Sequence, residues 1–141
     1  MSKKKIRLRI ILPTETKVDE PVDMVIMRCT TGDMGVLPGH EPRSAMLRIG
    51  IVRILDGGGE RHIAVYGGFA VIKDDVLTII ANEADWPQDV DLTRAQADRE
   101  HAEQRLLEKT DDMEILNDQL RLRRALVQIE VSAYAYAQQD E

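Results

Sequence analysis

The chain has 141 residues, a formal net charge of −6, 43% hydrophobic residues and only 4% aromatic residues. That length suits one ordinary domain or two small ones, with an aliphatic core of Val, Ile, Leu, Met and Ala. The acidity argues against nucleic-acid binding, which leans on excess positive charge, and the single cysteine, Cys29, excludes an internal disulfide and suits a reducing compartment.

Lys3-Lys4-Lys5 resembles the start of a signal peptide, but Arg7 and Arg9 interrupt the next stretch, so no apolar h-region forms. No apolar run approaches the roughly 18 residues that a spanning helix needs. A soluble, unprocessed protein is expected. Ile6-Arg7-Leu8-Arg9-Ile10 alternates cleanly, the mark of a strand with one wet and one buried face. Further strands are predicted at Met24–Cys29, Ala45–Ile49, Ile51–Leu55, His62–Tyr66, Phe69–Ile72 and Val76–Ala81. Turn signals separate them at Thr31-Gly32-Asp33, Asp56-Gly57-Gly58-Gly59, Gly67-Gly68 and Lys73-Asp74-Asp75. Short strands with regular turns predict an all-β sandwich or barrel. Cys29 falls within a strand and is expected to be a buried small hydrophobe.

Residues 32 to 42 read Gly-Asp-Met-Gly-Val-Leu-Pro-Gly-His-Glu-Pro, with three glycines and two prolines in eleven positions. Glycine tolerates positive φ and proline removes a donor, so neither helix nor central strand is expected here. A shaped loop on a β scaffold is predicted, and such loops carry recognition residues.

The last glycine is Gly68 and the last proline is Pro87; the 54 residues from 88 to 141 contain neither. Loss of both punctuators predicts long helices. Asp91 precedes Leu92, Ala95, Ala102 and Leu106, one narrow, alanine-rich face of a helix. Asp111, with Glu114 three residues on, reads as the cap of a second helix. There Ile115, Leu122, Leu126, Ile129, Ala133 and Tyr136 form a heptad-like seam. Leu116, Leu120, Val127, Val131 and Tyr134 form a second apolar row that one narrow partner cannot cover. The expected fold class is α+β: an N-terminal antiparallel β-sandwich over residues 1–87 and a two-helix antiparallel hairpin over 88–141. All of the net charge lies in the second part, yet Arg121, Arg123 and Arg124 form a local basic cluster without an acid between Gln119 and Ile129. It reads as a solvated face or as a docking site for an acidic partner.

His40, His62 and His101 are far apart and no metal-ligand spacing occurs. No nucleophile elbow, Walker loop or dinucleotide fingerprint is present. The glycine run 57–59 lacks the helix start and Lys-Ser/Thr of a phosphate loop. The residues read as a non-catalytic interaction protein needing no cofactor or metal.

The segment Gly32 to Pro42 resembles the Gly-acid-x-Gly-x-x-Pro-Gly-His-x-Pro loop of the epsilon subunit of F-type ATP synthases. Gly67-Gly68-Phe69-Ala70-Val71, Ala81-Asn82-Glu83-Ala84 and Val90-Asp91-Leu92-Thr93-Arg94-Ala95 are similar to further segments of that family, in the same order. The resemblance implies a non-catalytic rotor subunit of the central stalk. Its partners would be the gamma subunit, the c-ring and the alpha/beta catalytic subunits. It would lie peripherally on the cytoplasmic face of the bacterial inner membrane, with no span of its own. Asp33, Pro38, Gly39 and His40 would lie at the rotor interface. Arg121, Arg123 and Arg124 would face the beta subunit when the hairpin extends and blocks ATP hydrolysis. Some members also bind ATP as a regulatory ligand. On that alternative, an ATP-sensing module, Asp91, Arg94, Ala95 and Arg124 are the candidate binding residues, while His101 and Gln128 stand where those members carry arginines. A β-sandwich adaptor with a coiled-coil arm is the remaining reading.

Overall fold

A computed structural model of the chain describes residues 4–108 and 111–135. The chain divides into two compact units, Met1–Ala84 and Asp85–Glu141.

The first unit is built from β1 (Ile6–Ile11), β2 (Thr16–Val22), β3 (Met24–Cys29), β4 (Gly32–Val36), β5 (Arg43–Asp56), β6 (Gly59–Lys73) and β7 (Val76–Ile80), with the short β8 (Ala84–Asp85) pairing with β6. Hydrogen bonding runs in one path, β2-β1-β7-β6-β5-β3-β4. Every neighbouring pair on it is antiparallel except β1 with β7. The path folds into two layers because β5 and β6 serve both. β7 pairs with the second half of β6, Phe69 to Lys73, whereas β3 meets β5 chiefly at Arg53 to Leu55. Alternation then fills the space between the layers. Ile6, Leu8 and Ile10 of β1 are fully buried, with Val25, Met27, Val36, Ile54, Ile63, Ile72, Leu77 and Ile79. Cys29 is also buried, as expected, and burial pushes its thiol above the ordinary value.

Four features differ from the sequence reading, each for a physical reason. β2 is absent from the predicted strands because it is charged and contains Pro21; it is an edge strand, where proline costs no ladder bond. Gly32–Val36, expected as loop, is the opposite edge strand β4, and only the stretch after Val36 leaves the sheet as a turn. The predicted strands 45–49 and 51–55 are one strand, β5, which runs through Gly50. Likewise the Gly67-Gly68 signal does not reverse the chain. Both residues adopt positive φ, 83° and 142°, inside β6, which bends there without ending. The Asp56–Gly59 signal is a true hairpin turn, with Gly57 and Gly58 at φ 60° and 83°.

Across β5 and β6, Arg53 faces His62, and both meet Glu60: Arg53 Nη2 lies 2.7 Å and His62 Nε2 2.8 Å from its carboxylate. The bond to Arg53, with help from the His62 charge, holds Glu60 below the ordinary carboxylate value of 4.5. A depressed folded-state value stabilises the fold above 4.5 and loses that contribution as pH falls through the folded-state value. The groups are partly solvated, so the loss is below about 1 kcal/mol. A urea titration at successive pH values is expected to show it in the wild type and not in Glu60→Gln.

The second unit holds a short 3-10 turn (Pro87–Asp89), α1 (Leu92–Glu108) and α2 (Asp112–Ser132). Asp91 accepts from the Arg94 backbone N–H at 3.1 Å and Asp111 from that of Met113 at 2.9 Å, so an aspartate caps the start of each helix. The α1 face is as predicted, with Ala95 and Ala102 buried. The α2 seam is not. Leu126 and Ala133 are exposed, and Tyr136 lies outside the described residues. The buried heptad row instead runs Asp118, Ala125 and Ser132. Narrow faces of small residues admit close helix approach, and a count of apolar residues passes over such a row. In the second predicted row, Val127 and Val131 are buried, while Leu116 and Leu120 are 51% and 47% exposed.

Candidate functional site

Three surfaces stand out. The first is the turn after β4. His40 donates its backbone N–H to the Leu37 carbonyl at 3.2 Å, closing a turn with Pro38 at its second position and Gly39, φ 84°, at its third. That is the geometry for which proline followed by glycine is preorganised. The Gly39 N–H donates to the Asp75 carboxylate at 2.6 Å, which ties this turn to the one between β6 and β7. The His40 ring contacts the Glu41 carbonyl at 2.8 Å. Asp33 stands apart on β4, exposed, with Arg28 Nε 3.3 Å away. Pro38 also lines an open groove of about 750 Å³ with Met24, Leu37 and Leu55. The structure thus brings Pro38, Gly39 and His40 together in one rigid turn, with Asp33 on the adjoining strand.

The second surface is not among the sequence-predicted sites. Met46 of β5 is the register partner of Phe69 of β6, and Phe69 is the partner of Ile80 of β7. The three are 56%, 39% and 52% exposed. They form an unbroken apolar row across three adjacent strands, on ladders that fix their spacing. A signal is present in the sequence: Met46-Leu47 and Ile79-Ile80 each place two apolar residues side by side, and alternation must send one of each pair outward. Such a row on the outer face of a sheet marks an interaction surface.

The third surface is a cavity of about 240 Å³ between α1 and α2. Asp98, His101 and Arg105 line it from α1, and Asp118, Arg121 and Arg124 from α2. Arg105 Nε and Arg121 Nη1 lie 3.3 Å and 3.2 Å from the Asp118 carboxylate. The basic cluster is therefore divided: Arg121 and Arg124 face the cavity, and Arg123 is exposed. Of the four candidate nucleotide residues only Arg124 lines this cavity. Asp91 serves as a helix cap, Arg94 is exposed and Ala95 is buried. Among the described residues no cluster has the makeup of a metal site, and no helix is long and apolar enough to cross a membrane.

Residues 5–87 match the model of the ATP synthase delta/epsilon chain β-sandwich domain, and residues 88–133 match that of its long α-helix domain. The chain belongs to the ATP synthase delta/epsilon family. It is similar to the ATP synthase epsilon chain of Bacillus velezensis, at 37% identity over 92% of this chain and 98% of that one. The epsilon chain of Syntrophobacter fumaroxidans is 38% identical over 91% and 96% of the two chains. Among solved structures, a chain of the Euglena gracilis mitochondrial ATP synthase, solved as OSCP/F1/c-ring, matches with a TM-score of 0.80 at 26% identity, over 94% of this chain and 84% of that chain. A chain from the central stalk/c-ring structure of the Tetrahymena thermophila mitochondrial enzyme shares the fold, with a TM-score of 0.58 at 12% identity. Delta/epsilon chains are non-catalytic, and the β-sandwich with a helical pair is their architecture.

Proposed function

We propose that the chain is the epsilon-type rotor subunit of an F-type ATP synthase, held by its sandwich to the gamma subunit and the c-ring. The observation that carries this reading is the exposed row Met46, Phe69 and Ile80 on a rigid sheet. A rotor joint must transmit torque without slipping, and a preorganised apolar surface suits a permanent partner. We assign the row to the gamma subunit. The polar turn Pro38-Gly39-His40, with Asp33, is assigned to the rotor interface beside it, toward the c-ring. The helical unit restrains ATP hydrolysis. When the hairpin opens and extends, Arg121, Arg123 and Arg124 meet an acidic surface of the beta subunit. The complex lies at the cytoplasmic face of a bacterial membrane, where this subunit is peripheral.

The test is binding of purified gamma to the triple variant Met46→Ser, Phe69→Ser, Ile80→Ser. These side chains are half-exposed and pair with one another across the strands, so the chain's own stability should shift by no more than about 1 kcal/mol per site. Affinity for gamma should fall at least about thirtyfold, as for loss of an interface hot spot. Wild-type affinity in the triple variant would remove the assignment.

A further inference from the structure

We propose that Asp118 is a built-in anion: an ionic latch that holds α1 against α2 and keeps external polyanions out of the cavity between them. Asp118 is 0% exposed, yet it sits in a helix-helix seam whose other buried members are the small residues Ala95, Ala102, Ala125 and Ser132. A charge in that position is costly unless it is paired. It is paired from both helices. Arg105 of α1 reaches it across the seam at 3.3 Å, and Arg121, one turn along α2, reaches it at 3.2 Å. Arg105 is thus tied to the opposite helix by a charge-assisted contact, while the alanine contacts around it bury little area.

The same geometry sets what the cavity can accept. Arg105, Arg121 and Arg124 make its wall cationic, His101 lines it beside them, and Asp98 and Asp118 are the acids that face them. An incoming phosphate would have to compete for the two guanidiniums that Asp118 already engages. Polyanion binding and hairpin closure through Asp118 are therefore antagonistic in this chain. Partner and competitor are of the same chemistry, so neutralising Asp118 should both loosen the hairpin and open the cavity to an external anion. The latch is a property of the isolated chain and does not depend on the rotor assignment.

The test uses the full chain, with hydrogen exchange of α1 and α2 amides as readout, sandwich amides as internal reference, and inorganic tripolyphosphate as probe. In the wild type, α1 and α2 exchange should quicken as NaCl rises from about 0.05 to 0.5 M, through screening of the partly exposed arginines. Millimolar tripolyphosphate should give no saturable protection. In Asp118→Asn the same amides should exchange at least about tenfold faster, with the salt response flattened and with protection regained on adding tripolyphosphate. Arg105→Gln should loosen the hairpin in parallel, and the double variant should lose clearly less than the two singles combined. Two results would overturn the proposal: Asp118→Asn amides exchanging at the wild-type rate, or tripolyphosphate protecting the wild type as well as the variant. If Asp118→Asn lacks a folded hairpin altogether, Arg105→Gln decides. An unchanged exchange rate there refutes the latch, and a faster one with a flattened salt response supports it.

Discussion

Gly68→Ala is expected to destabilise the sandwich by about 3 kcal/mol or more, lowering its melting temperature by about 10 °C or more. Two effects add. Gly68 sits at φ 142°, a conformation that L side chains rarely adopt. A Cβ placed there would also come within 2.5 Å of the Ile80 backbone oxygen and 3.2 Å of Ala81 Cβ. Neither neighbour is the end of a flexible side chain, so β6 and β7 would have to separate. Phe69, the next residue, belongs to the exposed apolar row, so the variant should lose gamma binding together with stability. Gly57→Ala is the control. It has φ 60° but nothing within 4 Å of the added carbon, so only the turn strain remains, roughly 1–2 kcal/mol. Thermal unfolding of the two variants side by side measures the difference. Equal losses would refute the steric account of the bend.

Removing the helical unit is expected to raise ATP hydrolysis by the assembled complex about fivefold or more while leaving assembly intact. The cause lies in the seam. Ala95, Ala102 and Ala125 each bury one methyl group, worth about 0.8 kcal/mol apiece. Separate helices of 17 and 21 residues are marginal without a packing partner. The hairpin is therefore held by a few kcal/mol, and alternative partners of similar strength can redistribute it, since 1.4 kcal/mol shifts a population about tenfold. Met113, Leu116 and Leu120 offer such a partner an apolar surface, being 67%, 51% and 47% exposed. A chain ending at Pro87 cannot enter any inhibitory arrangement. Steady-state hydrolysis by complexes carrying the full or the shortened chain checks this, and equal rates would refute the inhibitory role.

The sequence announces most of this fold through local chemistry. Alternation in Ile6–Ile10, the Pro38-Gly39 pair and the loss of glycine and proline after Pro87 each reflect a backbone preference that acts over a few residues. What it hides depends on long-range context. Pro21 is tolerated because β2 is an edge, and Gly67-Gly68 bends a strand because β7 lies beside it; neither fact is local. The apolar row is only half legible: Met46-Leu47 and Ile79-Ile80 require one apolar residue of each pair to face outward, but register alone sets Met46, Phe69 and Ile80 side by side. The α2 seam escapes a periodicity reading because its row opens on a carboxylate, Asp118, and continues through the small residues Ala125 and Ser132; hydrophobic periodicity cannot weigh an aspartate that two arginines neutralise. Pro38 and Gly39 are legible, and His40 with them, because a turn needs particular residues at particular positions. Asp33 enters the candidate site only through the family resemblance, since its place on β4 is set by pairing with β3.

If the sandwich alone is the anchor, residues 1–87 must bind the shaft as the whole chain does. The most direct test is the affinity of that fragment for purified gamma, measured beside the full chain by titration calorimetry. A dissociation constant within about threefold of the full chain's, a difference below about 0.7 kcal/mol, is expected. Failure of the shortened chain to bind, or a loss beyond about tenfold, would contradict the account.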